Sequence, residues 1–275
     1  MRKSNTGVQQ SPQRARRKKK DLRRKKTDVM FLCVFVVALI CFVVSAGALI
    51  RYYARSYHAE KDVVKVAEKI DETARGTVEE TDPEGSEVVI DARYQKLYQE
   101  NPDFYGWIRI DDTPVDYPVM YTPKEPEYYL HTNFEKEYEY SGLPFVDARC
   151  SVNPASENLI IYGHNMKSEK MFSAVEKYKD KSFYEAHPII HFDTIYDGSA
   201  DYRIVYVIKT DWFSELYDFI DAENDEAFDQ IADQMKALSL YETGYDLSRE
   251  DQLITLSTCE YSVENGRVLV IAKKI

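Results

Sequence analysis

The chain is 275 residues long, a length typical of one or two domains, and its 44% hydrophobic content and 4 cysteines exclude a fully disordered, collagen-like or disulfide-stapled chain. The formal net charge of −11 is divided unevenly. Residues 1–28 carry +10, residues 29–50 carry no charge, and residues 51–275 carry −21, a division that a soluble cytosolic enzyme does not need.

The uncharged segment Val29–Ile50 contains 22 residues and predicts a transmembrane anchor. At 1.5 Å per residue, a helix of this length spans a hydrocarbon core of about 30 Å. The positive-inside rule then leaves the basic arm, residues 1–28, in the cytoplasm and exports the chain after Arg51. A cleaved signal peptide is the alternative, because residues 45–48 are small, but its apolar region is usually only about 7 to 15 residues long.

The basic arm also resembles a nucleic-acid-binding segment, RARRKKKDLRRKK over Arg14–Lys26. Beside a membrane span, such a block is better explained by topology and by contact with anionic headgroups. The −21 exported part would repel a phosphate backbone, so no nucleic-acid partner is predicted. No CxxC, HExxH or EF-hand motif occurs, so neither a metal nor another cofactor is predicted.

Apolar spacing predicts four helices in the exported part. They cover Tyr57–Arg75, Tyr94–Gln99, about Glu169–Tyr178 and about Asp225–Leu238. Ser168 and Asn224 are expected to cap the last two. The acidic stretch Thr77–Glu87, which contains a proline and a glycine, reads as a linker.

Eight short segments rich in Ile, Val and Tyr predict strands separated by turn-forming residues. They are Gly106–Ile110, Val115–Met120, Leu143–Val146, Leu159–Tyr162, Ile189–Asp193, Tyr202–Thr210, Leu253–Cys259 and Arg267–Lys273. Eight such strands favour a closed or nearly closed β-barrel over a parallel sheet.

The most informative cysteine is Cys259, which ends the predicted strand Leu253–Cys259 on its polar face. A loop of seven residues follows, and the next strand opens with Arg267. If the two strands form a hairpin, Cys259 and Arg267 face each other with Cβ atoms about 5 Å apart. A guanidinium beside a thiol favours the thiolate, which is the nucleophilic form.

His164 is the candidate base because it follows an apolar strand through Gly163, at a position where a side chain can project over the barrel mouth. The other histidines, His58, His131, His187 and His191, are interpreted as surface or packing residues. From the residues alone, Cys259, His164 and Arg267 indicate cysteine-based nucleophilic catalysis.

Two segments closely resemble class B sortases: NLIIYGHNMKSEKMF (Asn158–Phe172) and LITLSTCEYSVENGR (Leu253–Arg267). The family carries a TLxTC strand that ends in the nucleophile, an Arg on the next strand and a His in a GH turn. Further similar segments are NPDFYGWIRI, VDYPVM, YYLHTNF and SGLPFVDAR, so that the resemblance spans roughly residues 90–275. The helix at about 225–238 resembles the class B insertion before the nucleophile strand.

The resemblance implies a mainly β fold, an eight-stranded sortase-type β-barrel with N-terminal helices. It also implies that Cys259 is the nucleophile, His164 the acid/base and Arg267 the oxyanion and substrate-backbone donor. Ser257 and Thr258 are expected to support substrate binding or the oxyanion. Cys150 matches no family role, and the basic arm is longer than in most sortases. His131 stands where relatives often have Asp.

The expected organisation is a cytoplasmic arm (1–28), an anchor (29–50), a helical stalk and linker (51–89) and a sortase catalytic domain (90–275) in the extracellular space. Sortases cleave a C-terminal sorting motif of secreted proteins, of the Asn-Pro-x-Thr or Pro-Pro-x-Thr-Gly type in class B, and transfer the product to an amine of a cell-wall precursor such as lipid II. Pilin polymerisation is an open alternative, and so is a non-catalytic membrane-anchored binding domain.

Other cysteine enzymes fit the sequence less well. Papain-like hydrolases place the Cys before the His and at a helix N-terminus, whereas here His164 comes first and Cys259 ends a strand. An L,D-transpeptidase would show Gly beside its Cys, but Thr258 and Glu260 flank Cys259.

Overall fold

The computed structural model describes the backbone of residues 12–275, with side chains described for residue 20 and for residues 30–275. Most side chains of the predicted basic arm therefore lie outside the described residues. The chain divides into two compact units, one ending at Arg55 and the other covering Ser56–Ile275.

The first helix, α1 (Pro12–Ala67), contains the predicted membrane span. Its part Met30–Ala67 contains an 18-residue stretch with a mean hydropathy of 2.9 and is long and apolar enough to cross a membrane, although a signal sequence would meet the same criterion. The sequence predicted a helix that continues to Arg75, but α1 ends at Ala67. The reason is that the Asp71 carboxylate accepts hydrogen bonds from the backbone N–H groups of Thr73 and Ala74. This local turn competes with further helix.

Eight strands form a closed barrel, as predicted. They are β3 (Phe104–Arg109), β4 (Asp116–Met120), β5 (Phe145–Val146), β6 (Asn158–Tyr162), β7 (Ile189–Thr194), β8 (Gly198–Asp211), β9 (Leu253–Cys259) and β10 (Gly266–Lys274). Their order around the barrel is β10-β8-β7-β3-β4-β5-β6-β9. The pairs β4–β5 and β6–β9 are parallel and the other described strand pairs are antiparallel.

Two further strands, β1 (Thr77–Thr81) and β2 (Glu87–Asp91), form an antiparallel hairpin where the sequence predicted a linker. The linker interpretation was wrong because its proline and glycine mark a tight turn. The Asp82 carboxylate accepts hydrogen bonds from the N–H groups of Glu84 and Ser86, and Gly85 has a φ of 88°. A positive φ is readily adopted by glycine, so these residues close the hairpin.

Four shorter helices complete the fold: α2 (Gln95–Glu100), α3 (Ser173–Lys177), α4 (Lys181–Ala186) and α5 (Asp225–Leu238). Short 3-10 helices cover Ala92–Tyr94, Tyr128–His131 and Glu215–Asp218. The prediction of α5 is confirmed, and Asn224 caps it by accepting from the N–H of Ala227 at 3.0 Å. The prediction of α3 was wrong at its start. Glu169 and Met171 have φ values of 60° and 56°, so α3 begins only after Phe172 and Ser168 does not cap it.

Strand β9 lies between β6, its parallel neighbour, and β10, its antiparallel neighbour. Its apolar residues are buried, with Leu253, Ile254 and Leu256 all at 0% exposure. Because β6 and β9 run in the same direction, their C-terminal ends meet at one edge of the barrel. The end of β9 and the start of β10 therefore share that edge with the turn that follows β6.

Candidate active site

Cys259 is the last residue of β9, and Arg267 lies directly opposite it on β10. The register follows from seven consecutive residue pairs between the two strands, so this pairing is set by the barrel and not by the intervening loop. Opposed residues of an antiparallel pair have Cβ atoms about 5 Å apart. The thiol of Cys259 is partly exposed and free. The predicted juxtaposition of the two residues is confirmed.

The guanidinium of Arg267 is held by contacts that sequence reasoning missed. Its Nη1 donates to the backbone carbonyls of Gly266 at 2.9 Å and Asn265 at 3.3 Å. Its central carbon stands 5.2 Å over the Trp212 ring, a cation–π contact. Trp212 remains 47% exposed. The sequence carries no local signal for its contact with Arg267, because the two residues lie far apart in the chain. The contacts among the described residues use Nη1, so Nε and Nη2 present further donors.

His164 is brought to Cys259 by the parallel pairing of β6 and β9, in which Tyr162 lies opposite Ser257. The turn after β6 is fixed by two bonds: the Gly163 N–H donates to the Ser257 carbonyl at 3.1 Å, and the Thr258 hydroxyl donates to the Gly163 carbonyl at 2.8 Å. A Cβ on Gly163 would lie 2.5 Å from the Phe172 ring, so only glycine fits there. The turn therefore sets His164 beside the end of β9.

The imidazole of His164 donates from Nε2 to the Leu130 carbonyl at 2.9 Å. A carbonyl only accepts hydrogen bonds, so this contact fixes the proton on Nε2 and leaves Nδ1 to exchange protons. The ring also stacks on His131, with centroids 5.4 Å apart and an interplanar angle of 20°. Burial lowers the pKa of His164 below its ordinary value; the Leu130 bond opposes this, and the charge of His131 lowers it further.

Sequence reasoning therefore missed the position of His131, which packs on His164 and on Tyr140. The other histidines lie elsewhere. His191 hydrogen-bonds to Asp201 and Asp111, and the ring of His187 packs on Phe183 at 4.4 Å. Among the residues that the structure describes, no three His, Cys, Asp or Glu side chains form a group that could hold a metal ion.

One groove of about 780 Å³ connects the predicted site residues. Cys259, His164, Arg267, Ser257 and Thr258 all line it. Leu130, Glu127 and Pro126 also line the groove, as do Trp212, Phe213, Tyr217, Asp147 and Arg149. The groove is open, and its volume leaves room for part of a peptide beside the thiol. It pairs a thiol with an imidazole and a fixed cation, which is the set that acyl transfer by a cysteine requires.

The two predicted support residues have specific partners in the protein. The Ser257 hydroxyl hydrogen-bonds to the Tyr217 hydroxyl at 2.7 Å, and Thr258 bonds to Gly163 as described. Both residues are only 2% exposed. Their contacts indicate that they position the groove wall and the His164 turn. Tyr217 was not singled out by the sequence.

Cys150 is the second cysteine outside α1, and it is 2% exposed. Its thiol contacts the Asn158 carbonyl at 3.5 Å. Burial raises the pKa of Cys150 to about 12. Buried, protonated thiols are poor nucleophiles, so this cysteine is structural.

Comparison with known proteins decides the family. Residues 108–275 match the sortase domain. The chain is 30% identical to sortase B of Staphylococcus aureus over 248 residues, which cover 89% of this chain and 97% of that protein. The chain belongs to the sortase B family. Sortase B of Listeria monocytogenes is 36% identical over 187 residues, which cover 65% of this chain and 72% of that protein.

Solved sortase B structures share the fold. Sortase B of Bacillus anthracis superposes with a TM-score of 0.68 at 28% identity, covering 81% of this chain and 99% of that one. A sortase B–substrate complex from S. aureus gives a TM-score of 0.63 at 34% identity, covering 68% and 86%. The predicted sortase-type barrel is confirmed, and members of the sortase B family are cysteine transpeptidases.

Proposed function

We propose that this chain is a membrane-anchored transpeptidase that cleaves a C-terminal sorting motif of secreted proteins and transfers them to an amine of the cell wall. The observation that carries the proposal is the direct cross-strand pairing of Cys259 with Arg267, in one groove with His164. The motif expected for this family is of the Asn-Pro-x-Thr or Pro-Pro-x-Thr-Gly type, and the acceptor is a peptidoglycan precursor such as lipid II.

In the first half-reaction, the Cys259 thiolate attacks the carbonyl carbon of the motif's Thr, and an electron pair moves onto the carbonyl oxygen. The N–H donors of Arg267 stabilise this oxyanion. When the carbonyl re-forms, the peptide C–N bond breaks and the leaving amine takes a proton from His164. The product is a thioester between the substrate and Cys259.

In the second half-reaction, an acceptor amine attacks the thioester carbonyl. Its proton passes to His164, the C–S bond breaks, and the Cys259 thiolate leaves. His164 thus gives a proton in the first half and takes one in the second. The Leu130 carbonyl holds Nε2–H throughout, so Nδ1 is the nitrogen through which the proton passes.

The proposed organisation keeps residues 1–28 in the cytoplasm, spans the membrane with residues 29–50 and exports the rest of the chain, in which residues 51–89 precede the catalytic domain, residues 90–275. The length and hydropathy of the helix Met30–Ala67 and the +10 charge of residues 1–28 support this topology. Substrate and lipid-linked acceptor would then lie at the same membrane face as the groove.

The test is a transpeptidation screen of the full-length protein in detergent micelles. Fluorogenic peptides with Asn-Pro-x-Thr, Pro-Pro-x-Thr-Gly or Leu-Pro-x-Thr-Gly motifs are mixed with a glycine-based amine acceptor, and products are identified by mass spectrometry. We expect cleavage after Thr and transfer to the amine for one of the first two motif types. Preference for Leu-Pro-x-Thr-Gly would overturn the proposed motif class, and absence of any transfer product would overturn the transpeptidase assignment.

A further inference from the structure

The residues that directly follow the two reactive side chains are both polar and both buried. Asn165 follows His164 and is 9% exposed, and Glu260 follows Cys259 and is 3% exposed. Buried polar groups need partners, because an unpaired one costs about 1 to 3 kcal/mol. Their partners connect the two catalytic segments from outside the groove.

The side chain of Asn165 makes two hydrogen bonds through its amide nitrogen. It donates to the backbone carbonyl of Cys259 at 2.9 Å and to the carboxylate of Glu176, on α3, at 2.7 Å. The residue after His164 is therefore tied to the backbone of the nucleophile and to α3 at once. The Tyr261 hydroxyl adds a third link by donating to the Asn165 carbonyl at 2.9 Å.

The Glu260 carboxylate lies between two lysines. Lys179 donates to it at 2.9 Å, Lys209 of β8 lies at 3.2 Å, and the Ser262 hydroxyl donates at 2.8 Å. Burial opposes ionisation of Glu260, but these hydrogen bonds outweigh it and lower its pKa to about 2. The residue after Cys259 is therefore an ionised carboxylate at neutral pH.

Lys179 completes a continuous chain of contacts, because it also donates to Glu176 at 2.7 Å. The chain runs from Asn165 through Glu176 and Lys179 to Glu260. Neither Glu176 nor Lys179 is among the described residues that line the groove. Helix α3, which carries Glu176, packs against β9 and β10.

We propose that Glu176 and Lys179 are positioning residues that hold His164 and Cys259 at a fixed separation by binding Asn165 and Glu260. This inference rests on the proposed catalytic roles of Cys259 and His164. The charged pair acts as a brace: one end is fixed to the turn after β6 and the other to the loop after β9. A displacement of about 1 Å between reacting groups can reduce catalysis about 10²-fold, so a brace behind the groove affects turnover without touching substrate.

Substituting either member should break the brace at a defined link. Lys179→Met removes the cation that joins Glu176 to Glu260. Glu176→Gln keeps the size of the side chain but presents an NH₂ group to one of its two donors, Asn165 or Lys179. Lys179→Arg keeps the charge and is expected to retain most of the coupling between His164 and Cys259 that Lys179→Met loses. Lys177→Met is the matched control, because Lys177 lies in α3 but is exposed.

The decisive measurement is a double-mutant cycle on the alkylation rate of Cys259 by iodoacetamide, followed by mass spectrometry on the full-length protein. The rate needs no substrate, so it tests the brace even if the proposed function fails. We expect His164→Ala to change the alkylation rate in the wild-type and Lys177→Met backgrounds. In the Lys179→Met and Glu176→Gln backgrounds, the fold-change that His164→Ala causes in this rate should be at least threefold smaller. With a peptide that the wild-type protein cleaves, kcat of the Lys179→Met and Glu176→Gln variants should fall about tenfold or more, while KM stays within about twofold.

Equal effects of His164→Ala in all backgrounds, in folded proteins, would overturn the proposal. If Lys179→Met does not fold, Glu176→Gln decides by the same criterion. If the wild-type protein does not cleave any peptide, the proposed function is overturned. The double-mutant cycle on the alkylation rate still tests the brace, because it needs no substrate. A loss of thermal stability with unchanged coupling between His164 and Cys259 would show a structural role only and would also overturn it.

Discussion

Arg267 lies directly across the β9–β10 ladder from Cys259, and its guanidinium rests over the Trp212 ring at 5.2 Å. Both ends of the side chain are therefore fixed, one by strand register and the other by a cation–π contact and two backbone carbonyls. A planar fork held in this way can donate two parallel N–H groups to a bound carbonyl. A flexible cation at the same place could supply charge but not this geometry.

Arg267→Lys separates charge from geometry. We expect kcat/KM for peptide cleavage to fall by about 10² to 10³, as when one oxyanion donor is removed, while alkylation of Cys259 remains fast. Arg203→Lys is a matched control, since Arg203 also lies on a barrel strand and stands over an aromatic ring, Tyr245, at 4.8 Å. Near-normal turnover of Arg267→Lys would limit its role to electrostatic activation of the thiol.

The pH–rate profile should be bell-shaped, with an acid limb below pH 6.5, because burial lowers the pKa of His164. His131→Phe keeps a ring against His164 but removes a charge that lowers its pKa. The acid limb should then move to higher pH. His187→Phe, which alters another stacked histidine, should leave the limb unchanged. An unmoved limb in His131→Phe would refute the electrostatic coupling.

The two cysteines outside α1 should differ sharply in reactivity. At pH 7.5, we expect iodoacetamide to alkylate Cys259 at least about 10²-fold faster than Cys150, whose burial raises its pKa to about 12. Peptide mapping by mass spectrometry gives both rates in one sample. Cys150→Ala should retain turnover but lose about 1 kcal/mol of unfolding free energy, because it removes a buried side chain. Comparable labelling of both thiols would contradict this account of the site.

Thr258 should act through the His164 turn. Thr258→Val removes the hydrogen bond to the Gly163 carbonyl, so we expect a loss of about 1 to 2 kcal/mol in unfolding free energy and a clear fall in kcat. Thr255→Val is the control, since the Thr255 hydroxyl donates a bond of the same 2.8 Å length to Asn158, and Thr255 does not line the groove. Chemical denaturation and turnover are measured for both variants. Equal turnover in the two would show that the Thr258 bond contributes stability only.

The ionised Glu260 carboxylate should make an acid-sensitive contribution to the free energy of unfolding. Its folded-state pKa of about 2 lies below the ordinary 4.5, so its stabilisation is present above about pH 4.5 and is lost as pH falls towards 2. Glu260→Gln should therefore cost on the order of 2 to 3 kcal/mol at pH 7 and progressively less on acidification. Urea denaturation from pH 7 to pH 3 tests this. A cost independent of pH would exclude the ionised form as its source.

The sequence predicts the barrel well because strand patterning is local. Alternation and turn residues located all eight barrel strands, and the hairpin of β9 and β10 brought Cys259 opposite Arg267. His164 was found by its place after a strand, although its contact with Cys259 depends on the parallel pairing of β6 with β9. That pairing joins residues about 95 positions apart and has no local signature.

The missed features depend on contacts between distant segments or on backbone details. Trp212 under Arg267 and His131 on His164 involve residues that lie far apart in the chain. The late start of α3 follows from two residues with positive φ, which helical periodicity does not reveal. Asp82 closes a hairpin where its proline and glycine neighbours read as a linker.

The central claim is that Cys259 forms a thioester with the substrate. The most direct test is the intact mass of the full-length protein after incubation, without acceptor, with a motif peptide that it cleaves. We expect an adduct equal to the peptide fragment ending in Thr, located on Cys259 by peptide mapping, removed by hydroxylamine and absent in Cys259→Ala. The adduct should persist in Cys150→Ala. Turnover by Cys259→Ala, or an adduct on any residue other than Cys259, would contradict the assignment of the nucleophile.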